Sequence, residues 1–412
     1  RDRYLGVDES WKELYTWYRQ NEGQKVDRIL DAGFFKKKPD ALTGEEAAEL
    51  YGEKKQFSVT RMERFSACAY AHFLTYGLHL SDRERYEFEA MDLGKIAHQS
   101  MERFARKAQE KRMPWPKLEE VQRDAMIEES VEESIKDYGN TVLYSTARNE
   151  YMIVRIKQLI RRSVWALTRQ MEKGDFEPSG YEMNFGSGKI DRVDTCEDED
   201  VVYVKVTDYK TGMKSFDIVA LYHGLQMQLP VYLNAALELE ERRASGKTVE
   251  PAGIFYYRIK DPIVDREKDD HALEETIFKE LRLDGMINAK EEVIEHLEHQ
   301  LSGTSVLNPI GKNKDGSLNR YSKVLPPEAF AAMLSYTKKK EAQVKRQIYA
   351  GEVQANPYEL NGSTGCDYCA YRDICGFDPR LDGYAYRSLE KYSKEEVIRR
   401  MEEEIENREE PS

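Results

Sequence analysis

Long apolar runs are missing from this sequence of 412 residues. No stretch of about 18 consecutive apolar residues occurs, which excludes an ordinary membrane-spanning helix. The N-terminus also lacks the basic segment followed by an apolar one that marks a secretion signal. We therefore expect a cytoplasmic protein with no membrane contact. The sequence begins with Arg1 and has a mid-chain character there, so we expect a fragment of a longer polypeptide.

Two further absences limit the chemistry. The ATP-binding pattern Gly-x-x-x-x-Gly-Lys-Ser/Thr does not occur, so this stretch is not expected to have an ATP site of its own. Cysteine is scarce, with five residues in the chain, and a cytoplasmic protein keeps cysteines reduced, so their spacing needs another explanation. The net charge of −13 argues weakly against a protein that coats nucleic acid, although a local groove can still be positive.

The chain has 40% hydrophobic residues, enough for a real core, and its patterning changes from helix to strand and back. Ser58 is a candidate N-cap for a helix with apolar spacing through Phe73. Further helices are predicted over residues 11–20, 44–50, 93–108, 118–138, 147–172, 219–243, 273–300, 326–350 and 393–410. Strands are predicted over residues 181–186, 189–196, 201–210 and 252–260.

The strand over residues 201–210 carries the first candidate site. Its alternate valines share one face with Asp208 and Lys210, because side chains repeat every two residues along a strand. An antiparallel neighbour would bring Asp191 beside Asp208. Two adjacent carboxylates repel unless a cation lies between them, and oxygen ligands suit Mg²⁺. The Asp-x-Lys pattern alone is weak, because a surface ion pair at a strand end looks the same.

Two helical motifs flank these strands. His98 ends a Gly-x-x-x-His pattern, and Gln228 with Tyr232 lies on one face of the following helix. Each has an ordinary alternative, a satisfied helix histidine or a plain amphipathic helix. In chain order, the histidine motif, Gly188–Asp194, Asp-Tyr-Lys-Thr-Gly over 208–212 and the Gln-x-x-x-Tyr motif together resemble the RecB-type nuclease family, over about residues 58–377.

The resemblance implies a DNA exonuclease of the α/β (α+β) class that depends on Mg²⁺, with Mn²⁺ as the alternative metal. Its core would be restriction-endonuclease-like, of the PD-(D/E)xK type, with one helix, three strands, a helix and a strand. By this analogy the metal ligands are His98, Asp191, Asp208 and the carbonyl of Tyr209. The catalytic lysine is Lys210, and the residues that position substrate are Gln228 and Tyr232. Gln226 is a rival for the glutamine role. Glu182 is an outside candidate for the metal site, with a solvated strand carboxylate as its alternative.

The cysteines form a second constellation. Cys366, Cys369 and Cys375 give C-x₂-C-x₅-C near the C-terminal end, and Cys68 stands alone far upstream. Four thiolates suit either Zn²⁺ or an iron–sulfur cluster, and spacing does not choose between them. One cysteine before the nuclease motifs and three after them resembles the AddB family, and CRISPR-associated RecB-like exonucleases share the layout. That resemblance implies a [4Fe–4S] cluster that clamps the domain, with Cys196 left as a plain thiol.

A basic helix is the candidate DNA contact, with a solvated helix face as the alternative. Its cations are Arg155, Lys157, Arg161, Arg162, Arg169 and Lys173. Trp165 and Tyr151 on the same helix could stack on bases of a single strand.

The AddB likeness also implies a setting. Residues 1–57 would finish a preceding helicase-like region, 58–386 would form the nuclease domain and 387–412 a charged tail. The partner would be an AddA-type helicase–nuclease subunit in a heterodimer that resects DNA double-strand ends for recombination, and this domain would cut the 5′-terminated strand. Two rival interpretations are a DNA-end-binding module without cleavage and a zinc-stabilised scaffold.

Overall fold

The computed structural model describes residues 9–34, 41–52, 57–81, 90–139, 143–144, 146–186, 188–244, 246–265, 267, 269–381 and 383–406. The helices are α1 (Glu9–Asn21), α2 (Gly23–Phe34), α3 (Gly44–Tyr51), α4 (Val59–Ala67), α5 (Ala69–His72), α6 (Ala90–Glu110), α7 (Glu120–Gly139), α8 (Ala147–Met171), α9 (Ile218–Tyr222), α10 (Gln228–Glu241), α11 (Asp270–Leu281), α12 (Glu291–Leu297), α13 (Pro327–Tyr349), α14 (Arg372–Cys375) and α15 (Lys394–Glu406). Within these ranges, no helix combines the length and apolarity that a bilayer crossing requires.

The strands form two sheets. They are β1 (Glu177–Phe185), β2 (Gly188–Asp198), β3 (Val201–Lys210), β4 (Thr248–Arg258), β5 (Asp284–Asn288), β6 (Val324–Leu325), β7 (Tyr358–Leu360), β8 (Ser363–Thr364) and β9 (Arg387–Ser388). The large sheet has the order β1 to β6, and the small one has the order β8-β7-β9. In the large sheet β1, β2 and β3 are antiparallel, whereas β4 runs parallel to β3 because the chain crosses over through α9 and α10.

Two apolar cores cover the two faces of the large sheet. Along β3, Val204 and Val206 belong to a first core with α10 and α13, while Tyr203 and Tyr209 belong to a second core with α6, α7 and α8. The alternation predicted for β3 is confirmed, as are its bounds. The face that carries Asp208 is therefore the one that α10 covers.

Strand β2 does not alternate regularly. Ile190 and Val193 both lie in the first core, although a regular strand would place residues three apart on opposite faces. The ladder to β3 begins at the pair Arg192 and Thr207, so Asp191 lies just beyond it. The Asp191 carboxylate accepts a hydrogen bond from the backbone N–H of Tyr209 on the neighbouring strand.

Three of the helix predictions are wrong. The helix expected from Ser58 through Phe73 is interrupted at Cys68, whose extended backbone separates α4 from α5. The helix expected over 219–243 is broken into α9 and α10, because Gly224 adopts a left-handed φ of 79° and its missing Cβ leaves room for Ser66. The helix expected over 273–300 contains β5 between α11 and α12, because the buried Met286 and Ile287 join the sheet. In the last two segments, tertiary contacts override the helical periodicity of the local sequence.

The C-terminal helix is not only a solvated face. Val397 and Met401 of α15 are fully buried in the first core, and α3 contributes Ala47 and Tyr51 to the same core. Residues 407–410, the end of the predicted tail helix, lie outside the described residues, as does Arg1. The predicted N-cap at Ser58 is confirmed, since its hydroxyl accepts a hydrogen bond from the backbone of Arg61.

A histidine–aspartate contact joins α12 to the turn before β1, and it predicts a pH effect. His296 Nδ1 lies 2.8 Å from Asp175, and its Nε2 lies 3.5 Å from Asp198. Burial opposes the imidazolium charge, yet these carboxylates raise the pKa of His296 above 6.5. A raised pKa stabilises the fold fully below pH 6.5, and this contribution is lost as pH rises through the folded-state pKa.

We expect His296→Gln to lower the melting temperature by about 1–2 °C at about pH 6 and by less at about pH 8.5. His299 also contacts Asp175, at 3.0 Å, and is present in both proteins, so its contact is common to both sets of melting curves. Melting curves of both proteins across this pH range measure the effect. A deficit in His296→Gln that grew with pH would contradict the assignment.

Candidate active site and cysteine cluster

The predicted metal ligands converge at one end of β2 and β3. His98 on α6 places its Nδ1 3.3 Å from Asp191 Oδ2, and the same oxygen accepts a hydrogen bond from the backbone N–H of Tyr209 at 2.7 Å. Burial disfavours the imidazolium of His98, but Asp191 and Asp208 outweigh it and raise its pKa. The carboxylates around His98 attract positive charge, and its neutral imidazole is a common metal ligand.

Glu182 joins this cluster. The ligand atoms of His98, Glu182 and Asp191 all lie within 4.8 Å of one another. Burial and then the charge of Asp191 raise the pKa of Glu182, and its side chain is only 14% exposed. The solvated alternative is therefore wrong. Its backbone has a φ of 45°, an unfavourable conformation for a non-glycine residue, and the sequence carries no sign of it.

Asp208 is the most deeply buried carboxylate of the group. Its Oδ2 pairs with the Lys210 ammonium but makes no hydrogen bond of regular geometry to any described residue, and its Oδ1 accepts one from Gln228 Nε2 at 2.8 Å. Burial, then Asp191, raise the pKa of Asp208 to about 7, while Lys210 opposes the rise. A buried carboxylate whose charge is disfavoured by a second carboxylate fits a divalent cation, which would offset that cost.

The glutamine alternatives are separated by their contacts. Gln228 Nε2 reaches both Asp208 and the Tyr232 hydroxyl, the latter at 3.0 Å. Gln226 instead accepts from the backbone of Asp217 at 3.0 Å and donates to the carbonyl of Ser215 at 3.1 Å. Gln226 thus holds the loop before α9, and Gln228 is the glutamine that lies against the acidic cluster.

Tyr209 contributes its backbone N–H to this region, and its ring lies edge-on to the His98 ring with 6.0 Å between centroids. The ring packs in the second core edge-on to Tyr257, on the opposite side of the sheet from Asp208. Its N–H orients Asp191, as described above, while a role for its carbonyl as a ligand stays a prediction.

Glu63 is a site neighbour that the sequence did not reveal. Its carboxylate accepts hydrogen bonds from the backbone N–H groups of Met227 and Gln228 at 2.7 and 3.1 Å, and so caps the N-terminus of α10. Burial raises the pKa of Glu63, and Lys214 and Lys210 oppose this. Glu63 thereby fixes the start of the helix that presents Gln228, a tertiary contact between distant segments that no local pattern indicates.

The four predicted cluster cysteines line a single small cavity. Cys68, Cys366, Cys369 and Cys375 meet there, with apolar neighbours that include Tyr70, Ala71 and Phe377. Burial raises the pKa of the Cys68 thiol, as it does for Cys366. Cys196 lies elsewhere, buried in the second core. The donor set fits a thiophilic metal centre, because four cysteines line one small cavity with apolar neighbours.

Hydrogen bonds tie the Cys68 segment to the distant C-terminal segment. The backbone N–H of Ala69 donates to the side chain of Asn356 at 2.9 Å, and that of Tyr70 donates to the carbonyl of Gln354 at 3.0 Å. The Tyr371 hydroxyl donates to the carbonyl of Leu80 at 2.7 Å. The two ends of the domain are therefore held together at the place where the cysteines meet.

The basic helix is engaged within the chain. Arg155 and Arg162 both pair with Asp261, at 3.5 and 3.4 Å, and Arg169 pairs with Glu172. Lys157 and Arg161 pair with acidic residues of α7, and Lys173 lies beyond the C-terminal end of α8. The Trp165 ring stacks on Phe278 with 4.4 Å between centroids. These contacts favour the alternative of a solvated, ion-paired face over a DNA groove.

Comparison with known proteins decides the family. A family model described as the PD-(D/E)XK nuclease superfamily matches residues 56–376. The chain belongs to this nuclease superfamily. The match confirms the predicted restriction-endonuclease-like fold class and explains why β2 and β3 present the acidic residues and the lysine together.

The nuclease is also similar to curated bacterial proteins. It is 38% identical over 407 residues to an ATP-dependent helicase/deoxyribonuclease subunit, of the AddB type, from Lachnoclostridium phytofermentans, and the match covers 94% of this chain and 35% of that protein. The same-named protein of Alkaliphilus oremlandii is 33% identical over 425 residues, with 97% and 37% covered. These names confirm the AddB resemblance. The nuclease spans about a third of the length of the curated relatives it matches.

Proposed function

We propose that this chain is the DNA-cleaving domain of an AddB-type subunit in an ATP-dependent helicase–nuclease. The observation that carries the proposal is the convergence of His98, Asp191, Asp208 and Lys210 at one end of β2 and β3, in a member of a nuclease superfamily. The reaction would be metal-dependent hydrolysis of a DNA phosphodiester.

The divalent metal would be held by His98, Asp191 and Asp208, with Glu182 at the edge of the cluster. When bound, Mg²⁺ supplies a Lewis acid for a phosphate oxygen and lowers the pKa of a bound water. Lys210, fixed by its ion pair with Asp208, is placed to stabilise the charge that develops on the phosphate. Gln228 donates hydrogen bonds to Asp208 and to the Tyr232 hydroxyl, which restricts the motion of both side chains before substrate binds.

The biological context of the domain is inferred from the name of its relatives. A protein named as a subunit of a helicase/deoxyribonuclease has a partner. We take that partner to be an AddA-type subunit in a cytoplasmic heterodimer that processes double-strand ends for recombination, with the 5′-terminated strand as this domain's substrate. We place the start of the domain before α3 and its end after α15, because both helices bury side chains in the first core. The cysteine cavity would hold a [4Fe–4S] cluster with a structural role.

Metal dependence tests the cleavage proposal. End-labelled DNA should be cut in Mg²⁺ or Mn²⁺, and removal of the metal with a chelator should lower the rate by at least about 10²-fold. Ca²⁺ should support binding with little turnover, because the ligands are oxygen-rich but catalysis requires stricter geometry. Product length is read on denaturing gels. Full activity in excess chelator would refute a metal-dependent mechanism.

A further inference from the structure

A basic cavity adjoins the acidic cluster, and apart from Lys210 its lining residues have no part in the mechanism above. It has a volume of about 210 Å³ and lies between the end of β4 and the start of β5. The cationic side chains that line it are Lys210, Lys214, Arg258, Lys279, Arg282 and Lys323. The acidic ones are Glu280 and Asp284, so the lining carries a positive excess in a chain whose net charge is −13.

Both acids already have partners within the protein. Asp284 pairs with Lys323 and also accepts a hydrogen bond from the backbone N–H of Phe216 at 3.1 Å. Glu280 pairs with Lys260, which does not line the cavity. The buried Glu63 carboxylate also acts on Lys214 and Lys210, and Glu280 acts on Arg258, so these acids offset part of the positive charge. The six cationic side chains still outnumber the nearby acids.

Three of these cations make no direct ion pair with a described carboxylate. Among the residues that the structure describes, Lys214, Arg258 and Arg282 lie more than 4.0 Å from any carboxylate oxygen. This differs from the basic helix α8, where Arg155, Arg161, Arg162 and Arg169 are all in ion pairs. Unpaired cations around a concave surface attract an anion, because low-dielectric walls focus their field.

Tyr256 is a second, independent sign of a ligand. Its ring lines the cavity and is only 2% exposed, and its buried hydroxyl has no hydrogen-bond partner within the described part of the chain. The ammonium groups of Lys210 and Lys214 lie 5.5 and 5.1 Å from the centre of this ring. A buried hydroxyl is costly without an acceptor, and an anionic oxygen beside the two lysines would provide one.

Lys210 lines this cavity and also pairs with Asp208, so the cavity begins where the acidic cluster ends. A DNA strand carries one phosphate per nucleotide, and when one phosphate lies at the acidic cluster its neighbour must lie close by. We propose that the cavity binds the phosphate next to the scissile one on the strand being cut, through Lys214 and Arg258. The inference rests on the proposed function, whose substrate position it specifies.

The test measures binding apart from cleavage. The whole chain would be titrated with a single-stranded oligonucleotide in Ca²⁺ at several salt concentrations, with the double variant Lys214→Ala/Arg258→Ala beside wild type. We expect roughly tenfold weaker binding and a salt slope reduced by at least about 0.7, the value for one phosphate contact on a single strand. Lys338→Ala, at a surface ion pair with Glu238, is the matched control and should change neither. Arg258→Lys should restore part of the loss.

Position is tested with neutral linkages. One methylphosphonate, moved stepwise along the oligonucleotide, should weaken wild-type binding most when it neighbours the cut, and the double variant should be insensitive to it there. Additive losses from the linkage and the double variant would place the phosphate elsewhere and overturn the proposal. Competition by inorganic phosphate without any dependence on linkage position would assign the cavity to free phosphate and also overturn it. A wild-type protein that binds in this pattern but never cuts would refute the proposed function alone.

Discussion

Asp208→Asn should abolish cleavage while the chain still folds and binds DNA. The amide keeps the shape of the carboxylate and can still accept the hydrogen bond from Gln228, so local packing is preserved. It removes the anionic oxygen that pairs with Lys210 and would bind the metal. Loss of a metal ligand, or of a group that stabilises transition-state charge, should cost on the order of 10²-fold in rate or more.

Stability should move in the opposite direction from activity. In the folded chain the Asp208 charge is disfavoured by burial and by Asp191, so the neutral asparagine should leave the melting temperature unchanged or raise it. Lys210→Ala should also lose cleavage, because the cation near the phosphate is gone. Turnover near wild type in either variant, measured on end-labelled DNA in Mg²⁺, would remove these residues from the mechanism.

Asp194→Asn is the matched control for Asp208→Asn. Asp194 is equally buried and lies on β2, but it pairs with Arg192 at 2.6 Å and with Lys205 at 3.7 Å. Loss of one partner from a buried ion pair costs about 3–5 kcal/mol, so this variant should melt earlier. Its folded fraction should keep its turnover rate, which separates a structural carboxylate from a catalytic one in the same sheet.

The parts of the site that the sequence predicted are those that local alternation controls. The shared face of Asp208 and Lys210 follows from the period-two geometry of a strand, whose alternate side chains enter the two cores on opposite faces of the sheet. The place of Gln228 and Tyr232 one turn apart follows equally from helix geometry. Both features can be predicted from the local geometry of one strand or one helix.

The parts that sequence did not predict depend on contacts between distant segments. The sequence offers Glu182 only as an outside candidate, because its left-handed backbone conformation is not visible there. Glu63 reaches α10 from α4, which lies far upstream. The short strands β5 and β6 have too few residues to show alternation. The cations of α8 suggested a DNA groove, but Arg155 and Arg161 find acidic partners that only the fold brings near. In each case tertiary packing overrides the local pattern.

The largest effect on stability should come from the cysteines. Cys68→Ser should remove the proposed [4Fe–4S] cluster and lower the melting temperature by on the order of 10 °C. The cluster would join α5 to the segment around Cys366 and Cys375, and a cross-link across so long a loop contributes about 3 kcal/mol or more, by analogy with disulfides. The hydrogen bonds from Ala69 and Tyr70 would remain, so the fold should loosen locally before it is lost.

Cys196→Ser is the matched control, because Cys196 is equally a buried thiol but lies in the second core, away from the cavity. It should keep full iron and sulfide content and the brown colour of the protein.

Changes at Cys366, Cys369 or Cys375 should match Cys68→Ser, although Cys68 is remote from them in sequence, because all four line one cavity. Iron, sulfide and zinc analysis after anaerobic purification, with melting curves for all five variants, decides the question. Stoichiometric zinc in place of iron would replace the cluster with a zinc clamp, and a Cys68→Ser protein with full cluster occupancy would remove Cys68 from the ligand set.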